Sequence, residues 1–484
     1  LDEMYNEIFA WLPVISSDSQ DSPAYIWKSN YRAIVSANQA LEIAKEMTGN
    51  TDTEKAEALI CRAYHHFLLV NVFCQAWKND YDSKSDLGIP YLYDTKYTIN
   101  SSTKRGSVYD TYMAIQKDLE EGLALLTSGN NALPSTRFNT KAAHAFAARF
   151  YLYKREWEKV IEHADQVLTT NDDITLAMLF DAQTNRDQSN IELAFQHYIN
   201  PNTPSNLLLI DAISQAPHAH FPAYGRYQYN GEAQDFTTYC SGPCWSGYST
   251  WSADQKLGGF CAKDYYWFEY TDTVNGYGYV HSVGRAFTTN ETLLCRAEAK
   301  VHLYDLDGAT NDLRIWCQSY NVNGRMDTLA NGDVNLTKDK ITSFYASKTS
   351  TPYAPTLHNL DIYKYWIITP EQLPLVHCVL HFRRIETLHD GLRWHDLKRY
   401  GIEIEHVQGK DPARVLIWND DRRAIQLPQN IIALGIEPNP RNILGDNVDS
   451  ATPSAIKSKK NISTMSVLFN DIQQLMDNII FTTK

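Results

Sequence analysis

Apolar residues at helical spacing recur along this chain in long paired runs, and that pattern dictates a helical frame. Residues Thr53 to Trp77, TEKAEALICRAYHHFLLVNVFCQAW, keep the 3.6-residue period, with charges in the first turns. Val108 to Leu126 repeats it. Asn139 to Leu168 reads as two helices with a break near Lys154–Glu156. Glu291 to Val322 is a further hairpin, with its turn expected at Asp307–Gly308. A last long helix is expected from Pro370 to about Leu388, with Thr369 as N-cap and Pro370 in the first helical position.

The alanines at 142, 143, 145, 147 and 148 leave room for a neighbouring helix to approach closely. The helix that follows, EWEKVIEHADQVL, resembles the second helix of a tetratricopeptide unit, which predicts stacked helix pairs. Between the helical blocks the character changes. His218 to Phe287 holds 18 aromatic residues and 9 glycines but only 10 charged side chains, without helical period. It reads as loops and short strands set into the frame. The expected architecture is mainly α: a tetratricopeptide-like helix-pair scaffold with a loop-rich, aromatic-rich region packed on it. The scaffold covers approximately 1–170, 290–322 and 370–402, and the variable region approximately 200–288. A loop-rich C-terminal segment covers approximately 403–484, all within one domain spanning 1–484.

A formal net charge of −13 argues against nucleic acid or an anionic membrane surface as partner. No run of 18 apolar residues is present to span a bilayer as a helix. Eight cysteines in 484 residues are too few for a disulfide scaffold, and most fall in apolar helical patterns. Cys240, Cys244 and Cys261 share the loop-rich region; one disulfide among them, or a metal site without C-x-x-C spacing, are both open. The chain opens on DEMYNEIFAWL, an amphipathic helix, from which removal of a preceding segment is expected.

Hydrolytic and nucleotide-binding signatures such as G-x-S-x-G, the P-loop and H-E-x-x-H are absent. His377 and His381 stand at i, i+4 but lack a third ligand at zincin spacing, so they read as a core or surface pair. His65 and His66 are adjacent and point to different sides. In HDGLRWHDLKRYG, Arg393, Trp394, Asp396 and Arg399 read as a structural knot of paired charges and a packed ring.

Several segments resemble the SusD/RagB family. EALICRAYHHFLLVNVFCQAW and the DLGIPYL that follows are similar to the family's early helix and its succeeding segment. RFNTKAAHAFAARFYLYKREWEKVIEHADQVL resembles its central helix pair, and ETLLCRAEAKVHL a later helix. HDGLRWHDLKRYGI resembles the signature near the C-terminal end, with Asp390 where the family often has Glu, and RAIQLPQNIIALGIEPNPR the closing segment. The resemblance implies four helix pairs in a right-handed scaffold, with a variable region carrying the ligand site. It also implies a lipid anchor upstream of Leu1, the outer face of the outer membrane, and a SusC-type TonB-dependent transporter as partner. No enzymatic activity and no cofactor are expected.

Sugars present apolar C–H faces and hydroxyl edges, so exposed rings flanked by polar side chains suit them. Trp245, Tyr248, Trp251, Tyr265, Tyr266 and Trp267 are the expected stacking residues. More than half of the 18 rings are expected to be buried. In an extended YYWF run, either Tyr266 or Trp267 faces out, not both. A second wall is expected from Asp18, Asp21, Tyr25, Trp27 and Lys28, where the resemblance implies ligand contacts in the corresponding loop. The expected ligand is a glycan bound at about −4 to −8 kcal/mol. Two rivals are a peptide, as in RagB-type receptors, and an α-helical glycosidase with two carboxylates in a cleft.

Overall fold

In the computed structural model of the chain, several of the helices begin at side-chain caps. The structure describes residues 2–96, 103–220, 227, 231–237, 239–246, 263, 266–348, 353–361, 367–407 and 413–441. Helix α1 spans Asp2–Phe9, and α2 Pro23–Glu46 starts at Ser22, whose hydroxyl accepts from Tyr25 N–H. Helix α3 is Asp52–Phe73, and α4 Val108–Ala124 begins in a reciprocal Ser107–Asp110 capping box. Asn139 caps α5, Thr140–Lys154, which is followed by α6, Trp157–Val167. After the variable region come α7, Thr289–His302, and α8, Leu306–Ser319. Helices α9, Leu373–Glu386, and α10, Arg393–Arg399, complete the frame.

The helices pack as neighbours in sequence: α2 on α3, α3 on α4, α5 on α6 and α7 on α8, with α7 also against α6 and α9. The row of five alanines on α5 is fully buried, which permits that close packing. Both central hairpins turn on a non-glycine residue in left-handed conformation, Arg155 (φ 63°) and Tyr304 (φ 65°). The second turn therefore falls at Leu303–Asp305, not at Asp307–Gly308. Asp305 caps α8 by accepting from Gly308 N–H, and a Cβ at Gly308 would lie 2.1 Å from the Asp305 carboxylate. The last long helix also starts later than expected, at Leu373, and Pro374 takes the first-turn proline position. Thr369 and Pro370 instead belong to the preceding turn, where Thr369 O accepts from Gln372 and Leu373 N–H.

A buried ionic network ties α5, α7, α9 and α10 together. Arg149 and Arg383 both pair with Glu291 at 3.2 Å, Arg383 reaches Asp396 at 3.0 Å, and Arg399 pairs with Asp396 and Glu298 at 2.7 Å each. Burial alone would raise the Asp396 pKa, but Arg383 and Arg399 outweigh it and hold the carboxyl well below the usual carboxylate range. The expected knot is thus real in Asp396 and Arg399, with Arg383 as the second partner rather than Arg393.

The variable region contributes an antiparallel sheet of order β1-β3-β2, with β1 Asn206–Ile213, β2 Tyr266–Asp272 and β3 Tyr277–Thr288. Further on, β4 Ile404–His406 pairs with β5 Arg414–Leu416. Every described residue lies in one compact unit within Leu1–Leu444. Among the described residues, no helix is long and apolar enough to cross a membrane.

Candidate functional site

The hairpin of β2 and β3 is set by its turn. Asp272 accepts from the N–H of Val274 and of Asn275, and Gly276 takes φ 71° to close it. Register then pairs Trp267 with His281 and Glu269 with Tyr279. A Cβ at Gly278 would lie 1.9 Å from Glu269 O, so glycine is required there. Alternation puts Trp267, Glu269, Tyr277, Tyr279 and His281 on one face. On β1, Asp211 pairs with Val283 on that face.

The Trp267 ring stacks on the His281 imidazole at 4.2 Å and 21° between planes, and is itself 39% exposed. One of its faces is therefore covered and stiffened by His281, and the other is open. The imidazole lies between two carboxylates, 3.0 Å from Asp211 Oδ2 through Nδ1 and 3.0 Å from Glu269 Oε2 through Nε2. Desolvation works against the charged imidazole. The bonds to Glu269 and Asp211 outweigh it, so the His281 pKa is raised above 6.5 and the imidazolium donates to both. Tyr277 and Tyr279 are exposed on the same face. The surface thus offers one flat apolar ring, two phenols and two acceptor-rich carboxylates.

Of the expected stacking residues, Trp267 is exposed and Tyr266 is half-buried, so one of the two faces out, as alternation requires. Tyr248, Trp251 and Tyr265 lie outside the described residues. Trp245 is a correction: it is buried on Gly242 and near Phe382, and its Nε1–H donates to Cys240 O. Trp27 is a second correction, buried among Tyr31 and Phe73 in the helical core. Asp21 spends its carboxylate on the chain: Oδ1 accepts from Ser214 Oγ at 2.7 Å and Oδ2 from Gln215 N–H at 2.6 Å. That contact joins the N-terminal loop to the end of β1, whose Ile213 pairs with His281. Asp18 and Lys28 are exposed and Tyr25 is half-buried. Among the described residues, no hydrogen bond or ring contact joins these three to the sheet.

Sequence reasoning missed Asp211, His281, Tyr277 and Tyr279, although period-2 alternation in GYGYVHSV carried the signal. It also missed a hollow of about 310 Å³ walled by Trp11, Tyr227, Trp394 and His406 with aliphatic neighbours. There His406 is stacked between Phe9 and Trp11 at 4.4 and 4.3 Å. Trp394, read as a packing ring of the knot, lines this hollow instead.

The remaining motifs have structural partners. His381 bonds Tyr345 OH at 2.8 Å, and His377 Nε2 bonds Pro355 O. His65 faces Asn30 and His66 faces Arg62 O. Cys240 and Cys244 are both buried and no disulfide joins them, and Cys261 lies outside the described residues. Among the described residues, no group of three or more His, Cys, Asp or Glu side chains could hold a metal.

Residues 3–152 match a SusD-like family described as starch-binding and associating with the outer membrane. A Bacteroides vulgatus protein provisionally described as sugar-binding shares the fold at TM-score 0.58, with 15% identity over 90% of this chain and 89% of its own. A SusD-like carbohydrate binding protein from the same species gives 0.54, 16%, 86% and 83%, and a Bacteroides thetaiotaomicron SusD superfamily protein 0.54, 16%, 91% and 95%. No curated protein matches at a significant level. The chain is thus similar to a SusD-like family over residues 3–152 and shares the fold of these solved structures.

Proposed function

We propose that the protein is a non-enzymatic glycan-binding lipoprotein on the outer face of the outer membrane, delivering oligosaccharide to a partner SusC-type TonB-dependent transporter. The observation that carries this reading is the open face of Trp267, braced by His281 between two carboxylates. The sugar's apolar face lies on the indole, and its hydroxyls donate to Asp211 and Glu269. Asp18, Tyr25 and Lys28, on the segment that Asp21 fastens to the end of β1, form a second wall. No catalytic role is assigned to the two carboxylates. Both are about half exposed on an open sheet and share one imidazole, whereas glycoside hydrolysis needs an acid and a base across an enclosed bond.

Isothermal titration against a panel of oligosaccharides and peptides tests the reading. Trp267→Ala should weaken glycan binding at least about tenfold, or ~1.4 kcal/mol, with the circular dichroism spectrum unchanged. Glycan binding that is indifferent to Trp267, or binding of peptides alone, would refute it.

A further inference from the structure

Resting on the Trp267 platform as the glycan site, we propose that it accepts uncharged, hydroxyl-rich chains and rejects uronate and sulfated ones. Asp211 and Glu269 each commit one oxygen to His281. Asp211 Oδ1 and Glu269 Oε1 have no protein partner among the described residues, so each is a free acceptor beside the ring. An acceptor must be met by a donor, and a sugar hydroxyl is one. A uronate or sulfate offers only acceptors and a like charge at the same place, and like-charge juxtaposition at a binding surface discriminates strongly.

Even with His281 charged, two carboxylates against one imidazolium leave the face at −1. Among the described cations, Lys28 of the second wall is offset there by Asp18, and two others near the sheet are engaged elsewhere. Arg285, four residues along β3, is fully buried over the Tyr198 ring at 3.6 Å and pairs with Glu386. Lys263 donates to Glu386 O and to Asp390. The other described charge at this hairpin, Asp272, is again acidic.

Affinity is to be measured on the full chain for neutral xylo-, manno-, cello- and laminari-oligosaccharides against oligogalacturonate and oligoalginate of matched length. Neutral chains should bind in a Trp267-dependent way and acidic chains at least about tenfold more weakly. Adding salt should tighten the acidic chains and leave the neutral ones unmoved. The double change Asp211→Asn with Glu269→Gln should narrow the gap. Acidic chains bound through Trp267 as tightly as neutral ones would overturn the selectivity and leave the platform standing. If no chain binds, or Trp267→Ala changes nothing, the platform itself falls. The salt series needs no variant, so a misfolded double mutant would not blunt the test.

Discussion

The charge on His281 governs the geometry of its two neighbours. With its pKa raised, the imidazolium bridges Asp211 and Glu269; once neutral, it can donate to only one of them, and the two carboxylates face each other unscreened. A base held by acidic partners stabilises the fold fully below its unfolded pKa of about 6.5, and that contribution is lost as pH rises through the higher folded value. A titration followed by histidine proton chemical shifts should therefore give His281 a midpoint above 6.5. Glycan affinity should decline above that midpoint in the native chain and not in His281→Gln. A midpoint below 6.5 would contradict the bridge. At this scale the sequence was half readable. Alternation alone selected one of Tyr266 and Trp267. Trp27 was misassigned although Trp27, Tyr31 and Ile34 stand at i, i+4 and i+7, the spacing of a core stripe. Trp245 carried no such signal, because what closes over it is a glycine three residues earlier in its loop and a phenylalanine on α9.

Elements depend on charges that no local pattern displays. Asp396 is wholly buried with Arg383 and Arg399, and removing the carboxylate would leave Arg383 to Glu291 and Arg399 to Glu298. Asp396→Asn should cost about 3–5 kcal/mol, read as a lower denaturant midpoint with unchanged slope. The sign of the pH effect follows from the depressed pKa. The Asp396 contribution is present above its unfolded value of about 3.9 and fades as pH falls through the folded one. Acid unfolding of the native chain should thus set in below about pH 4, and the mutant should show a shallower dependence there. A mutant as stable as the native chain would show that the network adds nothing net. Helix existence and order were legible from periodicity, whereas two boundaries were not. Asp307–Gly308 looks like a turn but is the first turn of α8, where glycine admits the Asp305 cap. Arg155 and Tyr304 end their helices in a conformation that usually announces itself by glycine.

Across the whole molecule, the sheet and the scaffold are joined without a linker. Thr288 ends β3 and is also the N-cap of α7, its hydroxyl accepting from Glu291 N–H, while Glu291 enters the ionic network. Thr289 N–H also donates to Ser205 O, next to the start of β1. The order of the helical segments was readable along the chain. This junction was not, because the strands lie in the aromatic stretch without helical period and pair across some 70 residues of sequence. Such anchoring implies a platform formed before ligand arrives, the usual behaviour of pre-organised partners. Amide exchange measured with and without a neutral oligosaccharide should therefore show added protection in β2 and β3 around Trp267 and His281. Helices α5, α7 and α9, already slow through burial and the ionic network, should not change. Protection spreading through those helices would mean that binding remodels the scaffold, and the indole would then be a contact made late rather than a surface held ready.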